Sequence, residues 1–216
     1  MIIAIDGPAG AGKTTVARLL AKKLNIFYLD TGATYRALTF KALKEKIDLD
    51  DEEALENLAK NLSFHFDFSQ DKIFLDGEDI TDKIRQPIID KNISKVAEKP
   101  KIRKVLVELQ RRIVQDKDFV AEGRDTTTVV FPHAQFKFFL DADFHVRLER
   151  RFKELKEKGL NVSFSEIEKD LKRRDKADLE RKVGPLKKAE DAIYIDTTDL
   201  SLKEVIEKII KIIYGG

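Results

Sequence analysis

Residues 1–15 read Met1-Ile2-Ile3-Ala4-Ile5-Asp6-Gly7-Pro8-Ala9-Gly10-Ala11-Gly12-Lys13-Thr14-Thr15. The apolar run over residues 1–6 does not alternate, the pattern of a strand buried on both faces in a parallel sheet. Residues 7–14 then fit G-x-x-x-x-G-K-[ST], and Val16, Ala17, Leu20 and Leu24 recur at helical spacing immediately afterwards. Strand, glycine-rich loop and helix in that order are the context the motif requires. The glycines let successive backbone N–H groups turn inward around phosphate oxygens, while the helix directs its positive end at the same point. A lysine placed like Lys13 reaches β and γ oxygens, and a hydroxyl placed like Thr14 ligates Mg²⁺. Residues 7–15 are therefore the expected phosphate cradle.

Beyond the first helix, which Asn25 ends, residues 26–29 read as a second short strand and 35–43 as a helix. Asp50 is placed to cap a further helix over 51–62. The period then changes. Residues 63–68 (SFHFDF) alternate apolar and polar, and after the turn Ser69-Gln70-Asp71 a second such segment follows, so a small antiparallel sheet with one half-exposed face is expected. Helical spacing resumes at Pro87, breaks at Pro100 and continues to about residue 114. Residues 118–122, 135–141 and 192–196 are three more buried-strand candidates, the first two joined by a turn-rich stretch. Two charged helices, about 143–158 and 165–176, lie between the last two strands, with Ser165 and Glu168 as a capping box for the second. Ser201 and Glu204 form another for the C-terminal helix. Five short apolar strands separated by helices imply a three-layer α/β core with helices on both sheet faces. It carries two excursions, a small sheet near 63–90 and a basic helical segment near 144–188.

Composition narrows the possibilities. At 216 residues the chain suits one domain with an inserted lobe, and 42% hydrophobic with 37% charged residues is too apolar for disorder. Absence of Cys excludes disulfides, thiolate zinc and iron–sulfur sites, and a cysteine nucleophile. His65, His133 and His145 do not form a metal-ligand spacing. No apolar run approaches the ~18 residues of a membrane span, and the N-terminus lacks a signal peptide's basic flank, so a cytoplasmic protein is expected, without membrane attachment. Net charge is +2, but residues 144–188 carry +6 and the remainder −4. That segment is either a solvated helical face or the neighbour of an anionic ligand. RNA binding would want interleaved aromatic platforms, and the segment offers only Phe144, Phe152 and Phe164. Lys and Glu dominate the charges and Met1 is the only methionine, a composition seen in proteins of hot environments.

A phosphate loop alone is compatible with switch GTPases, motor ATPases, transporters and kinases. The guanine-reading N-K-x-D is absent, and the chain is short for a motor or transporter subunit. Arg36 and Arg124 follow soon after strand ends, which in a parallel sheet converge on the ligand crevice. Both are placed to face Lys13 across it, an arrangement for two anionic ligands meeting head-on. A structural ion pair is the other reading of each.

These stretches, together with LDTGATYR (29–36), NISKVAEKPKIR (92–103), AEGRDTTTVVFP (121–132), FFLDA (138–142) and RRDKADLERKVGPL (173–186), resemble the bacterial cytidylate kinases over essentially the whole chain. The resemblance implies a P-loop NTPase core with a five-stranded parallel sheet in the order 2-3-1-4-5, in one domain over 1–216. It also implies a monophosphate-binding lobe at about 31–100 and a helical lid at about 144–188. The implied reaction moves the γ-phosphoryl group of ATP to CMP or dCMP with Mg²⁺, in a cytoplasmic monomer with no nucleic-acid partner. ATP is then expected on Gly7, Pro8, Ala9, Gly10, Ala11, Gly12, Lys13, Thr14 and Thr15, with Thr14 on the metal.

The family pattern assigns the CMP phosphate to Arg36 and Arg124, the base to Thr31, Arg103, Asp125 and Arg181, and the sugar to Ser94, Arg174 and Asp178. Cytosine offers an amino donor at C4 with acceptors at N3 and O2, which a carboxylate and a guanidinium complement; uracil mismatches both. Lys13, Arg147, Arg150 and Arg151 are the implied catalytic set. The three arginines at i, i+3 and i+4 share one helix face. The pattern has departures: Thr127 stands where relatives usually carry Gly, Glu122 where Asp is frequent, and Thr31 where Ser is common. A kinase for another monophosphate or a small metabolite such as shikimate, and a non-enzymatic ATP-dependent switch or RNA-binding module, are the alternatives.

Overall fold

The computed structural model describes residues 1–68, 70–157 and 159–215. Ser69 of the expected turn and Lys158, the expected end of the first charged helix, lie outside the described residues. Strand β1 (Ile2–Asp6) is buried from Ile3 onward, as its unbroken apolar run requires. The phosphate loop leads from it into helix α1 (Lys13–Leu24), which packs Val16, Ala17, Leu20 and Ala21 inward and is closed by Asn25 in the left-handed region. Strand β2 (Phe27–Asp30) feeds directly into α2 (Thr31–Lys44). That helix starts four residues before the expected 35 because Asp30 caps it, its side chain accepting from the Ala33 N–H at 3.1 Å. Helix α3 (Glu52–Lys60) is capped by Asp51 rather than Asp50: Asp51 accepts from the Ala54 N–H at 3.0 Å.

The inserted sheet follows as β3 (Phe64–Asp67), β4 (Lys72–Leu75) and β5 (Glu78–Asp79), antiparallel throughout. Its alternation works as expected: Phe66, Ile73 and Leu75 join the main apolar core, while His65 and Phe74 pair on the outer face. A 3₁₀ turn at Lys83–Arg85 leads to α4 (Pro87–Ala97) and α5 (Pro100–Ile113). Each begins with the proline the sequence places there, where a missing N–H costs nothing.

Strand β6 (Phe119–Gly123) is followed by a π turn at Thr126–Val130, then β7 (Phe136–Asp141). The two charged helices are α6 (Phe144–Glu157) and α7 (Phe164–Glu180). The capping box of α7 is Ser163 with Glu166, not Ser165 with Glu168. Both pairs fit the S-x-x-E pattern; the earlier one lengthens the helix, and Glu168 instead pairs with Lys172 at 2.6 Å. Strand β8 (Ile193–Asp196) and α8 (Leu202–Ile213) complete the chain, with the Ser201–Glu204 box in place.

Among the described residues, five parallel strands form the central sheet in the order β2-β6-β1-β7-β8, which is 2-3-1-4-5 when only these strands are numbered. β6 inserts between β1 and β2, so the loops after β1, β2 and β6 open side by side at the carboxyl end of the sheet. Ligand crevices form at such carboxyl ends.

Candidate active site

A cavity of about 590 Å³ opens at the carboxyl ends of β1, β2 and β6, beneath α6 and α7. One wall is the phosphate loop. Gly10 sits at φ 79° and Gly12 at φ 84°, the left-handed region glycine enters freely. At Gly10 the backbone also passes so close to α6 that an added Cβ would come within 2.8 Å of the Arg147 carbonyl. The loop cradle and α6 are thus built against each other.

Lys13 is buried, its ammonium donating to the Pro8 carbonyl at 2.7 Å. Burial, reinforced by Arg124, pushes its pKa down to about 7, against the pull of Glu122, Asp178 and Asp6. The Thr14 hydroxyl donates to Glu122 Oε1 at 2.8 Å, and the Tyr28 hydroxyl approaches the same oxygen at 3.4 Å. Burial, with Asp30 nearby, pushes the Glu122 carboxyl up. Asp6, at the end of β1, accepts from the Thr126 N–H at 2.8 Å, the Thr127 N–H at 2.7 Å and the Thr127 hydroxyl at 2.5 Å. Thr127 therefore turns its side chain into the sheet end rather than into the cavity.

The opposite wall carries a chain of alternating charges. Arg103, 2% exposed, donates to Asp125 and, at 2.9 Å, to the Ala97 carbonyl, with its guanidinium over the Tyr35 ring. Arg181 approaches Asp125 at 3.3 Å and Asp178 at 3.4 Å, and Asp178 accepts from Arg124 at 2.7 Å. Against the effect of burial, Arg124 and Arg181 hold the Asp178 carboxyl below its usual range. Asp125 thus sits between two guanidiniums at the foot of the cavity. Ser94, one turn from the end of α4, lines the same wall, as does Thr31, whose hydroxyl donates to the Glu122 carbonyl at 2.7 Å.

Arg36, Arg150, Arg151 and Arg174 also line the cavity. The three arginines of α6 go different ways. Arg147 is buried behind the phosphate loop, donating to Ala9 O at 3.0 Å and Ala142 O at 3.1 Å and pairing with Asp175 at 2.7 Å. Arg150 grips the loop after β8, with Thr197 Oγ1 at 3.0 Å and Thr197 O at 2.6 Å. Arg151 reaches across to α4, pairing with Asp90 at 2.8 Å, and with Glu154 at 2.7 Å.

Two acidic groups and one cation were not singled out in the sequence. Arg85 lines the cavity and pairs with Asp30 at 3.1 Å. Asp90 accepts from Arg36 at 2.5 Å and from Arg151, and Arg174 lies 3.7 Å away. A signal for Asp90 exists: it precedes Ser94 by four residues on α4, hence shares its face. No group of three or more His, Cys, Asp or Glu among the described residues is arranged to hold a metal ion.

A family model described as cytidylate kinase matches residues 3–214. The cytidylate kinase of Caldanaerobacter subterraneus subsp. tengcongensis is 50% identical over 207 residues, covering 96% of this chain and 92% of that protein. That of Clostridium tetani is 47% identical over 213 residues, covering 99% and 93%. Among solved structures, an uncharacterized protein from Eubacterium ventriosum superposes with a TM-score of 0.52 at 18% identity, covering 100% of this chain and 99% of that one, which speaks to the fold alone.

Proposed function

The chain belongs to the cytidylate kinase family, and we propose that the cavity is where it moves the γ-phosphoryl group of ATP to CMP or dCMP, giving ADP with CDP or dCDP. The observation that carries this reading is the facing of two walls across one cavity: the phosphate loop with Lys13 on one side and the Arg103–Asp125–Arg181 cluster on the other. A donor's phosphates fit the first, and a cytosine edge fits the second. Asp125 accepts from the C4 amino group, and a neighbouring guanidinium donates to O2 or N3. Because Arg103 and Arg181 already clamp Asp125, the base meets fixed partners and little ordering is left for binding.

The acceptor phosphate falls to Arg36 and Arg124, and the sugar to Ser94, Arg174 and Asp178. The acceptor lobe is about 31–100 and the lid about 144–188. Lys13, Arg150 and Arg151 neutralise charge as the phosphoryl group passes between oxygens, and Arg147 serves from behind by fixing the loop carbonyl of Ala9. Catalysis on this reading is alignment and electrostatic stabilisation, without a covalent enzyme intermediate. Closure of the lid over both nucleotides excludes water, a competing acceptor.

Mg²⁺ suits the residues present: the Thr14 hydroxyl and the Glu122 carboxylate 2.8 Å away form an all-oxygen pair. Such a pair suits an ion that keeps waters and takes substrate phosphates as its other ligands. When bound, it adds positive charge at the β and γ oxygens. Among the described residues no helix is long and apolar enough to cross a membrane, and we place the enzyme in the cytoplasm as a monomer with no nucleic-acid or membrane partner.

The test is a coupled assay with ATP and, separately, CMP, dCMP, UMP, AMP, GMP and shikimate. CMP and dCMP are expected to exceed every other acceptor in kcat/KM. Equal values for CMP and UMP would refute the role given to Asp125 and Arg103.

A further inference from the structure

Asp90 is 8% exposed on the inner side of α4. Its carboxylate is contacted from three other helices: Arg36 of α2 at 2.5 Å, Arg151 of α6 at 2.8 Å and Arg174 of α7 at 3.7 Å. All three arginines line the cavity, and the Asp90 carboxylate contacts them without itself lining it. Burial works to raise its pKa, but Arg36, Arg174 and Arg151 outweigh it and hold the group down to about 2, a full negative charge at neutral pH. The arginines need that charge. Burial, with Arg36, Arg124 and Arg151 nearby, holds the Arg174 pKa below its usual value, and Asp90 pulls against that shift.

This places one anion where the acceptor side joins the lid. Arg36 belongs to the helix that opens the acceptor lobe, whereas Arg151 and Arg174 belong to the two lid helices. Arg151 has a second partner in Glu154 at 2.7 Å, but among the ion pairs of the described residues only Asp90 is shared by all three guanidiniums, and without it they repel one another with no common counter-charge. With it, two carboxylate oxygens fix Arg36 on one side and Arg151 on the other.

We propose, resting on the functional reading above, that Asp90 is a positioning residue for phosphoryl transfer: it ties the acceptor-phosphate arginine Arg36 to the lid arginines Arg151 and Arg174, so that lid and acceptor site are set as one array. It touches neither nucleotide. Its effect is exerted through the guanidiniums it holds, and small misplacements of such groups are costly to the transfer step.

The experiment is steady-state kinetics of Asp90→Asn, which keeps the shape and removes the charge. A fall in kcat of about tenfold or more is expected, with a rise in KM for CMP and with KM for ATP within about twofold of wild type, since the phosphate loop is untouched. A structural brace alone would not produce that split. A second readout is the double variant Asp90→Asn/Arg151→Met. If Asp90 acts through Arg151, its substitution costs much less in the Met background. Wild-type kinetics for Asp90→Asn, or losses that multiply in the double variant, overturn the proposal. Should Asp90→Asn fail to fold, the cycle between Arg36→Met and Arg151→Met replaces it: non-additive losses support the array, and independent losses overturn it. Wild-type protein unable to phosphorylate CMP would defeat the functional reading itself; active wild type with an indifferent Asn variant defeats only the assignment of Asp90.

Discussion

Lys13 is a buried cation placed to meet the donor's phosphates. In the ligand-free protein its pKa is about 7, depressed chiefly by burial, whereas its ordinary value is 10.5. Triphosphate oxygens against the ammonium pull the value up again. Between about pH 7 and that raised value, ATP binding must therefore take up a proton, so affinity falls as pH rises through the window. Titration calorimetry at pH 8 in two buffers of different ionisation enthalpy measures this directly, and binding without proton uptake would contradict it. Lys13→Ala is expected to fold, to bind CMP nearly as wild type does and to lose turnover.

The phosphate loop was legible because its chemistry is local: consecutive residues make the cradle. Thr127 illustrates the opposite. The sequence marks it as unusual beside the acceptor loop, but only the fold shows that its hydroxyl meets Asp6, 121 positions away. The role of Asp90 is hidden in the same way, since each of its cations comes from a different helix.

At the scale of elements, helical spacing correctly placed Arg147, Arg150 and Arg151 within one helix but could not distribute their tasks. Their partners are Ala9 and Asp175, Thr197, and Asp90, from four separate segments. Neighbouring charges on one helix face diverge because each side chain is long enough to follow its own counter-charge. Arg147→Met is accordingly expected to act mainly on stability: it strips a partly buried carboxylate of its cation and leaves two carbonyls unmet, a loss of about 3 kcal/mol. Arg151→Met, by contrast, should lower kcat with little change in unfolding free energy. Urea denaturation paired with kinetics separates the two, and a fully stable Arg147→Met would remove the bracing role. The helix starts at α3 and α7 shift because a chemically equivalent cap lies one or two residues away: Asp51 beside Asp50, and Ser163 two positions before Ser165.

For the whole molecule, strand order and layering were readable because buried parallel strands announce themselves as short apolar runs bounded by helices. The size and shape of the cavity were not, because it is enclosed by elements more than a hundred residues apart. The Lys- and Glu-rich composition carries a thermal expectation. Unfolding of the ligand-free protein should centre well above the ~45–65 °C usual for mesophile domains. Scanning calorimetry decides this, and a midpoint near 50 °C in that range speaks against it. The position of β1 has a consequence for how the chain is born. It lies in the middle of the sheet, with Ile3 registered against Val120 on one side and Phe136 on the other. At ribosomal speeds of about 5–20 residues per second, the first strand emerges roughly 7–30 seconds before both its neighbours exist. During that interval its apolar edge is unpartnered, which makes the nascent chain a customer for holding chaperones. Chains released before Phe119 should remain protease-sensitive and fail to retain nucleotide, although they contain every residue of the phosphate loop.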